Sequence, residues 1–175
     1  GMPSYQVLYD GVVFIKKSPL GLKTNIGDFT SSLTLGSDIT ELPIWKNYRL
    51  PNIKKSKVDY SAESAVIPFT KEGQKVFDVE FRVSNNDVAF RYTVYPKKDI
   101  LCCVVQQEAT GFVLPEGTTT FLCPQSGPMG GFARTSPSYE TPYTVDDTMG
   151  KNGWGEGYTF PCLFKNSDKG WVLIS

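Results

Sequence analysis

The chain has 175 residues, 18 Lys and Arg against 18 Asp and Glu, and no histidine. Zero formal charge removes the basic footprint of a nucleic-acid binder, and no apolar run approaches the roughly 18 residues of a membrane-spanning helix. The missing histidines rule out Ser-His and Cys-His nucleophiles and His-ligated zinc within this chain.

A chain of this length reads as one domain over 1–175, able to bury roughly 70% of its unfolded surface. Gly1-Met2 reads as a cleavage remnant ahead of a start residue, so no leader is expected in view and export is left open. Tyr5 to Ile15 forms two short β-like runs around Asp10-Gly11, the sequence of a type I′ hairpin turn. Ser18-Pro19-Leu20-Gly21 breaks that pattern, and Leu22 to Leu35 has weak strand character. Ile39 to Ser56, with two prolines, Trp45 and scattered lysines, reads as an irregular or edge segment. Val58 to Thr70 alternates loosely and is expected as a strand.

Val76 to Tyr95 carries the clearest pattern. Phe77, Val79, Phe81 and Val83 alternate with Asp78, Glu80 and Arg82, and Val88, Phe90, Tyr92 and Val94 alternate after them. Ser84-Asn85-Asn86-Asp87 is turn chemistry. A turn there sets Val83 opposite Val88, Phe81 opposite Phe90, Val79 opposite Tyr92, and Glu80 opposite Arg91. Slippage by one residue would put every apolar pair out of register.

Further on, ILCCVVQQ (100–107) is expected as a buried strand, with Cys102 and Cys103 pointing to opposite faces. Pro115-Glu116-Gly117 is a turn and Thr118 to Cys123 a strand. From Pro124 to Gly157 the chain is rich in glycine and proline and poor in aliphatics, which reads as a long functional or docking loop. Tyr158 to Phe164 returns to strand pattern, Asn166 to Gly170 is a turn, and Trp171 to Ser175 is a strand that is expected to continue beyond the sequence. With so little helical periodicity, the fold class is all-β and antiparallel.

Candidate chemistry concentrates in the loop. Phe132, Tyr139, Tyr143 and Trp154 could stack on sugar rings or pack on a neighbouring domain, and Glu140 accompanies them; sealing of the sandwich by these aromatics is the plainer alternative. Glu140, Asp146, Asp147 and Glu156 are too few and too scattered to specify the facing carboxylate pair that glycoside hydrolysis needs. Asp146-Asp147 lacks EF-hand spacing, so solvated acids are favoured over a calcium site. The spacing of Cys102, Cys103, Cys123 and Cys162 suits neither zinc nor dithiol chemistry. Small buried hydrophobes are the favoured reading for the four cysteines, one disulfide the alternative. No catalytic residue and no metal ligand is assigned.

Several of these stretches together resemble the N-terminal domain of glycoside hydrolase family 97. They are Tyr5-x-Val7-x-Tyr9-x-Gly11, Ser18-Pro19-Leu20-Gly21-Leu22, Trp45, Phe81-Arg82-Val83 with Asp87-Val88-Ala89-Phe90-Arg91-Tyr92, Ser138-Tyr139-Glu140, and Gly170 to Ser175. Asp87 stands where the family more often has glycine. The resemblance implies a β-super-sandwich similar to galactose-mutarotase-like folds, placed before a catalytic (β/α)8 barrel in an α-glucosidase or α-galactosidase. The catalytic carboxylates would lie on that barrel: glutamates as acid and base in inverting members, an aspartate nucleophile in retaining ones. It also implies an active-site calcium in the full-length enzyme, held partly by an acid in the strand that Trp171 begins, an oligosaccharide substrate, and a periplasmic or secreted location. Two functional expectations follow: a non-catalytic domain that packs on the barrel and shapes its pocket, or a free-standing carbohydrate-binding module using the loop aromatics. A mutarotase-type epimerase is disfavoured because those enzymes use a histidine as proton donor.

Overall fold

The computed structural model describes residues 1–95, 99–123, 144–148 and 157–175. Among them there is no helix. The strands are β1 (Ser4–Tyr9), β2 (Val12–Pro19), β3 (Leu22–Thr24), β4 (Gly27–Asp28), β5 (Thr34–Leu35), β6 (Thr40–Arg49), β7 (Lys57–Lys71), β8 (Gln74–Val83), β9 (Val88–Val94), β10 (Val105–Glu108), β11 (Thr118–Leu122), β12 (Thr144–Thr148), β13 (Cys162–Asn166) and β14 (Trp171–Ile174). All registered pairings are antiparallel, so the fold is all-β as expected. The chain divides into two compact units: residues 1–5 with 18–111, and residues 6–17 with 112–175.

The first unit is built on the sheet β5-β7-β8-β9, with β6 also paired to β7. The β8–β9 hairpin has the register expected from its alternation: Val83↔Val88, Phe81↔Phe90, Glu80↔Arg91 and Val79↔Tyr92. One face is apolar because period-2 alternation sends Phe77, Val79 and Phe81 to the same side as Phe69 and Ile67 of β7. Phe77 and Val79 are wholly buried there, beneath Leu20, Ile26, Phe29 and Leu33 from the segment with little strand character. Burying a side chain of this size contributes about 1.5–3 kcal/mol. Those residues need no long strands of their own, since they serve as a lid on the sheet.

Two of the stretches that carry the family resemblance, Ser18 to Leu22 and Asp87 to Tyr92, meet in this core. Ser18, Leu20 and Leu22 are buried. The Gly21 N–H donates to the Tyr92 hydroxyl oxygen at 3.0 Å, and that hydroxyl is 2.8 Å from Thr110 Oγ1. Gly21 has φ +140, and a Cβ there would fall 2.7 Å from the Phe29 carbonyl oxygen and 2.9 Å from Thr30 Cα, so only glycine fits. Tyr5 packs its ring on Phe81 and Phe90 and donates its hydroxyl to the Gly111 carbonyl at 2.9 Å. Burial, with Tyr92 nearby, pushes the Tyr5 phenol up to about 12.

The ILCCVVQQ expectation fails. Leu101, Val104 and Val105 are exposed, as are Cys102 and Cys103, and the strand begins only at Val105. Asn25 holds the preceding segment in place: its Nδ2 donates to the Cys102 carbonyl and its Oδ1 accepts from the Val104 N–H. β10 pairs with β3 at the margin of a three-stranded sheet, so pairing supplies the strand while all four of its residues stay exposed. Apolar composition here does not mean burial. Cys123 and Cys162 do behave as small buried hydrophobes, and none of the four cysteines is joined in a disulfide.

The second unit contains residues 6–17 of the β1–β2 hairpin and the sheet β12-β11-β13-β14. Asp10 (φ +47) and Gly11 (φ +76) supply the two positive φ angles of the expected I′ turn. Leu122, Cys162 and Phe164 form the inner face of the sheet with Val172 and Ile174. Part of the expected long loop, 144–148, is strand β12, registered on β11 through Thr119↔Thr148 and Thr120↔Asp147.

Candidate functional site

Tyr139, Glu140, Tyr143 and Trp154 lie outside the described residues, as do Phe132 and Glu156. The sugar-stacking platform of a free-standing binding module therefore lies outside them too. Asp146 and Asp147 are described, and they sit on β12. Asp146 accepts from Thr119 Oγ1, and Asp147 Oδ1 accepts from the Thr148 N–H at 2.8 Å. Among the described residues no three Cys, Asp or Glu side chains come close enough to hold a metal ion.

The charged cluster that the structure does assemble is on the β8–β9 face opposite the apolar core. Glu80 and Arg91 face each other across the hairpin, and Arg82 lies two residues along the same face. Arg82 Nε and Nη2 approach Glu80 Oε1 at 2.8 Å each. Arg91 binds Oε2 through Nε at 2.6 Å and Nη2 at 2.5 Å, and Ser64 of β7 donates to Oε1 at 3.3 Å. The carboxylate is thus gripped at both oxygens by two forked donors, the strong form of this contact. Hydrogen bonding from Arg82, aided by Arg91, holds the Glu80 carboxyl below the usual carboxylate range. The site cannot act as an acid–base pair: it has one carboxylate, ionised and fully committed, where hydrolysis needs two. Paired charges on a sheet face account for both arginines.

A second polar group lies further along the same face. Lys75 Nζ is 3.0 Å from Asp78 Oδ1 and 4.5 Å from the centre of the Tyr95 ring, while the Tyr95 hydroxyl donates to Asp78 Oδ2. Asp78 is buried, and these two partners offset the desolvation of its charge.

The remaining feature is an exposed ribbon. β7 pairs with β8 only from Glu63 onward, so among the described residues the pairs Ile44↔Ala62 through Arg49↔Lys57 belong to β6 and β7 alone. Six pairs make a two-stranded arm of about 20 Å. Register puts Leu42, Ile44, Tyr48, Val58, Tyr60 and Ala62 on one face, with Lys46 among them, in line with Glu80, Arg82 and Arg91. Leu42 is 60% exposed and Tyr48 43%, and on the opposite face Trp45 is 78% exposed. The outer face of the second unit's sheet is also apolar: Phe121 packs on Trp171 at 5.2 Å, Lys165 lies over the Trp171 ring, and Leu173 is exposed. The edge segment expected at 39–56 is thus a strand and a ribbon tip, with a one-sidedness that its irregular look conceals. The signal is present in the period-2 spacing of Leu42, Ile44 and Tyr48, which Pro43 and Lys46 obscure.

Residues 1–175 match throughout a family model described as glycosyl-hydrolase 97 N-terminal. The chain belongs to the N-terminal domain family of glycoside hydrolase 97. The crystal structure of a beta-arabinopyranosidase is similar at 48% identity and TM-score 0.91, covering 98% of this chain and 27% of that one. A "probable retaining alpha-galactosidase" of Streptomyces bingchenggensis (strain BCW-1) is 31% identical over 124 residues, which are 70% of this chain and 18% of that protein. A glycoside hydrolase family 97 enzyme from Pseudoalteromonas sp. strain K8, solved in complex with panose, shares the fold at TM-score 0.72 and 18% identity, with 95% and 24% covered. The family 97 domain thus spans about a quarter of the solved chains it matches and under a fifth of the Streptomyces protein.

Proposed function

We propose that this chain is the non-catalytic N-terminal domain of an exported glycosidase, packing on its catalytic (β/α)8 barrel and shaping the pocket there. The supporting observation is 48% identity over nearly the whole chain with a beta-arabinopyranosidase. The alpha-galactosidase relative points the same way. A β-arabinopyranoside of the L series has the ring and anomeric geometry of an α-D-galactopyranoside, with hydrogen in place of the C5 hydroxymethyl group. Both relatives therefore suggest one substrate shape, and we favour galacto-configured α-linked sugars, within the α-glucosidic or α-galactosidic range that the family resemblance implies. The panose complex belongs to a much more distant relative and contributes fold alone.

Among the described residues no three Cys, Asp or Glu side chains converge on a cation, and the clustered carboxylate Glu80 is committed to two arginines, so we assign the chemistry to the rest of the parent protein. The described residues do not fit the calcium of the family, since no three of their Cys, Asp or Glu side chains converge on one point, and Glu80 and Asp78 are already paired with cations of this chain. Its ligands in the parent enzyme are proposed to lie outside the described set.

The test compares the full-length parent with residues 1–175 alone. The parent should release nitrophenol from nitrophenyl α-D-galactopyranoside or β-L-arabinopyranoside at least tenfold faster than from the α-D-glucopyranoside, and residues 1–175 should release none. Turnover by the short chain would overturn the non-catalytic reading. A parent preferring the glucoside would overturn the galacto assignment.

A further inference from the structure

We propose that the β6–β7 arm is a docking element whose occupant is an acidic, partly apolar surface on the catalytic part of the same polypeptide. The inference rests on the function proposed above and adds the face and the chemistry of the contact. Three observations carry it.

An isolated two-stranded ribbon is marginal in water. Here six consecutive pairs, Ile44↔Ala62 to Arg49↔Lys57, have no third strand among the described residues. The ribbon nevertheless carries an apolar strip on one face, Leu42, Ile44 and Tyr48 on β6 beside Val58 and Tyr60 on β7, interrupted only by Lys46. Its tip adds exposed Leu50 and Ile53. An apolar surface of this kind, rimmed by polar groups, marks an interaction site.

The charge is one-sided as well. Although the whole chain is neutral, residues 46–60 contain Lys46, Arg49, Lys54, Lys55 and Lys57 against a single carboxylate, Asp59. None of these five cations forms an ion pair among the described residues, whose ion pairs lie elsewhere. Arg91, 67% exposed, extends the basic character along the same face. Two arms meeting about a two-fold axis would set five cations against five, which disfavours a second copy. A surface rich in Asp and Glu is the complement.

The third observation is length. This chain covers 27% and 24% of the solved relatives, so those proteins hold a large surface outside the matched region. A contact within one polypeptide forms at high effective concentration, and a modest patch suffices.

The experiment uses the full-length parent enzyme. Zero-length carbodiimide coupling joins lysines to carboxylates in contact, and mass spectrometry maps the joined peptides. We expect Lys46, Lys54, Lys55 or Lys57 joined to Asp or Glu outside residues 1–175 of the same molecule, independent of protein concentration. Backbone amides of residues 44–49 should exchange hydrogen at least tenfold more slowly than in the Lys54→Glu/Lys55→Glu/Lys57→Glu variant, while β8 amides exchange alike in both. Joins between isotopically mixed copies would assign the arm to a second molecule and overturn the proposal. Arm amides exchanging at open-chain rates with no joined peptides would overturn it equally. Aryl-glycoside turnover of the same sample separates the two readings. An active enzyme with a bare arm defeats only the docking, and a docked arm in an inactive protein defeats only the glycosidase assignment.

Discussion

Strand β7 takes part in two very different structures. Its C-terminal half lies between β6 or β5 on one side and β8 on the other, with Ile67 and Phe69 facing the core. Its N-terminal half, Lys57 to Ala62, has β6 alone among the described residues and is exposed or half-buried at every position except Ala62. The backbone bonding with β6 is the same throughout. What differs is the second layer, and apolar burial drives folding more strongly than the hydrogen-bonded ladder does. The core half should therefore carry the stability of the unit and the arm half almost none of it.

The largest expected effect is at Phe77, which is wholly buried and stacks on Phe69 at 5.1 Å. Phe77→Ala should cost about 3–5 kcal/mol in chemical denaturation, from lost transfer and the cavity left behind. Gly21→Ala comes next, at about 2–3 kcal/mol, because the new Cβ would meet two backbone atoms that cannot rotate away and the residue would keep a strained φ. A stability within about 0.5 kcal/mol of the parent sequence at Gly21 would show that the close approach relaxes freely.

The contrast also explains what is legible in the residues alone. Strict alternation on both sides of Ser84 to Asp87 fixes a register with one solution, and the structure has it. The family stretches are recognisable because they are packing constraints: Gly21 can be nothing else, and its N–H is bonded to Tyr92. ILCCVVQQ misleads because side-chain composition reports affinity for an apolar surface, not whether this chain provides one. The arm is half legible for the same reason. Its strand propensity survives Pro43, which an edge strand tolerates, while its one-sidedness emerges only from the pairing with β7. Of the candidate site, Tyr139, Glu140, Tyr143 and Trp154 fall outside the described residues. The ribbon face carries none of the residue types that announce chemistry, so no motif points to it.

Glu80 tests the polar side of the core half. Replacing it by Gln removes the charge while keeping the shape, leaving Arg82 and Arg91 weakly bonded. Both arginines are partly solvated, so the expected loss at pH 7 is only about 1 kcal/mol. The pH dependence gives a sharper reading. The folded carboxyl titrates below its ordinary value of 4.5, chiefly through Arg82. Its contribution is therefore complete above that value and disappears as the pH falls through it toward the lower folded one. The stability difference between the two proteins should shrink on acidification below about pH 4.5 and stay constant above about pH 6. A gap unchanged at about pH 3 would assign the loss to packing.

The smallest effect is expected at Trp45, on the arm face that looks away from the apolar strip. At 78% exposure its indole has little to lose, and Trp45→Ala should shift the denaturation free energy of residues 1–175 by less than about 0.5 kcal/mol. Its fluorescence should be water-like and open to iodide quenching. The comparison between the halves of β7 turns on this residue as much as on Phe77. Both are large aromatics in well-formed strands of one sheet, and they differ in what lies above them. A cost near that of Phe77→Ala would mean that the ribbon is covered within this chain, and the arm would then have no free face to offer a partner.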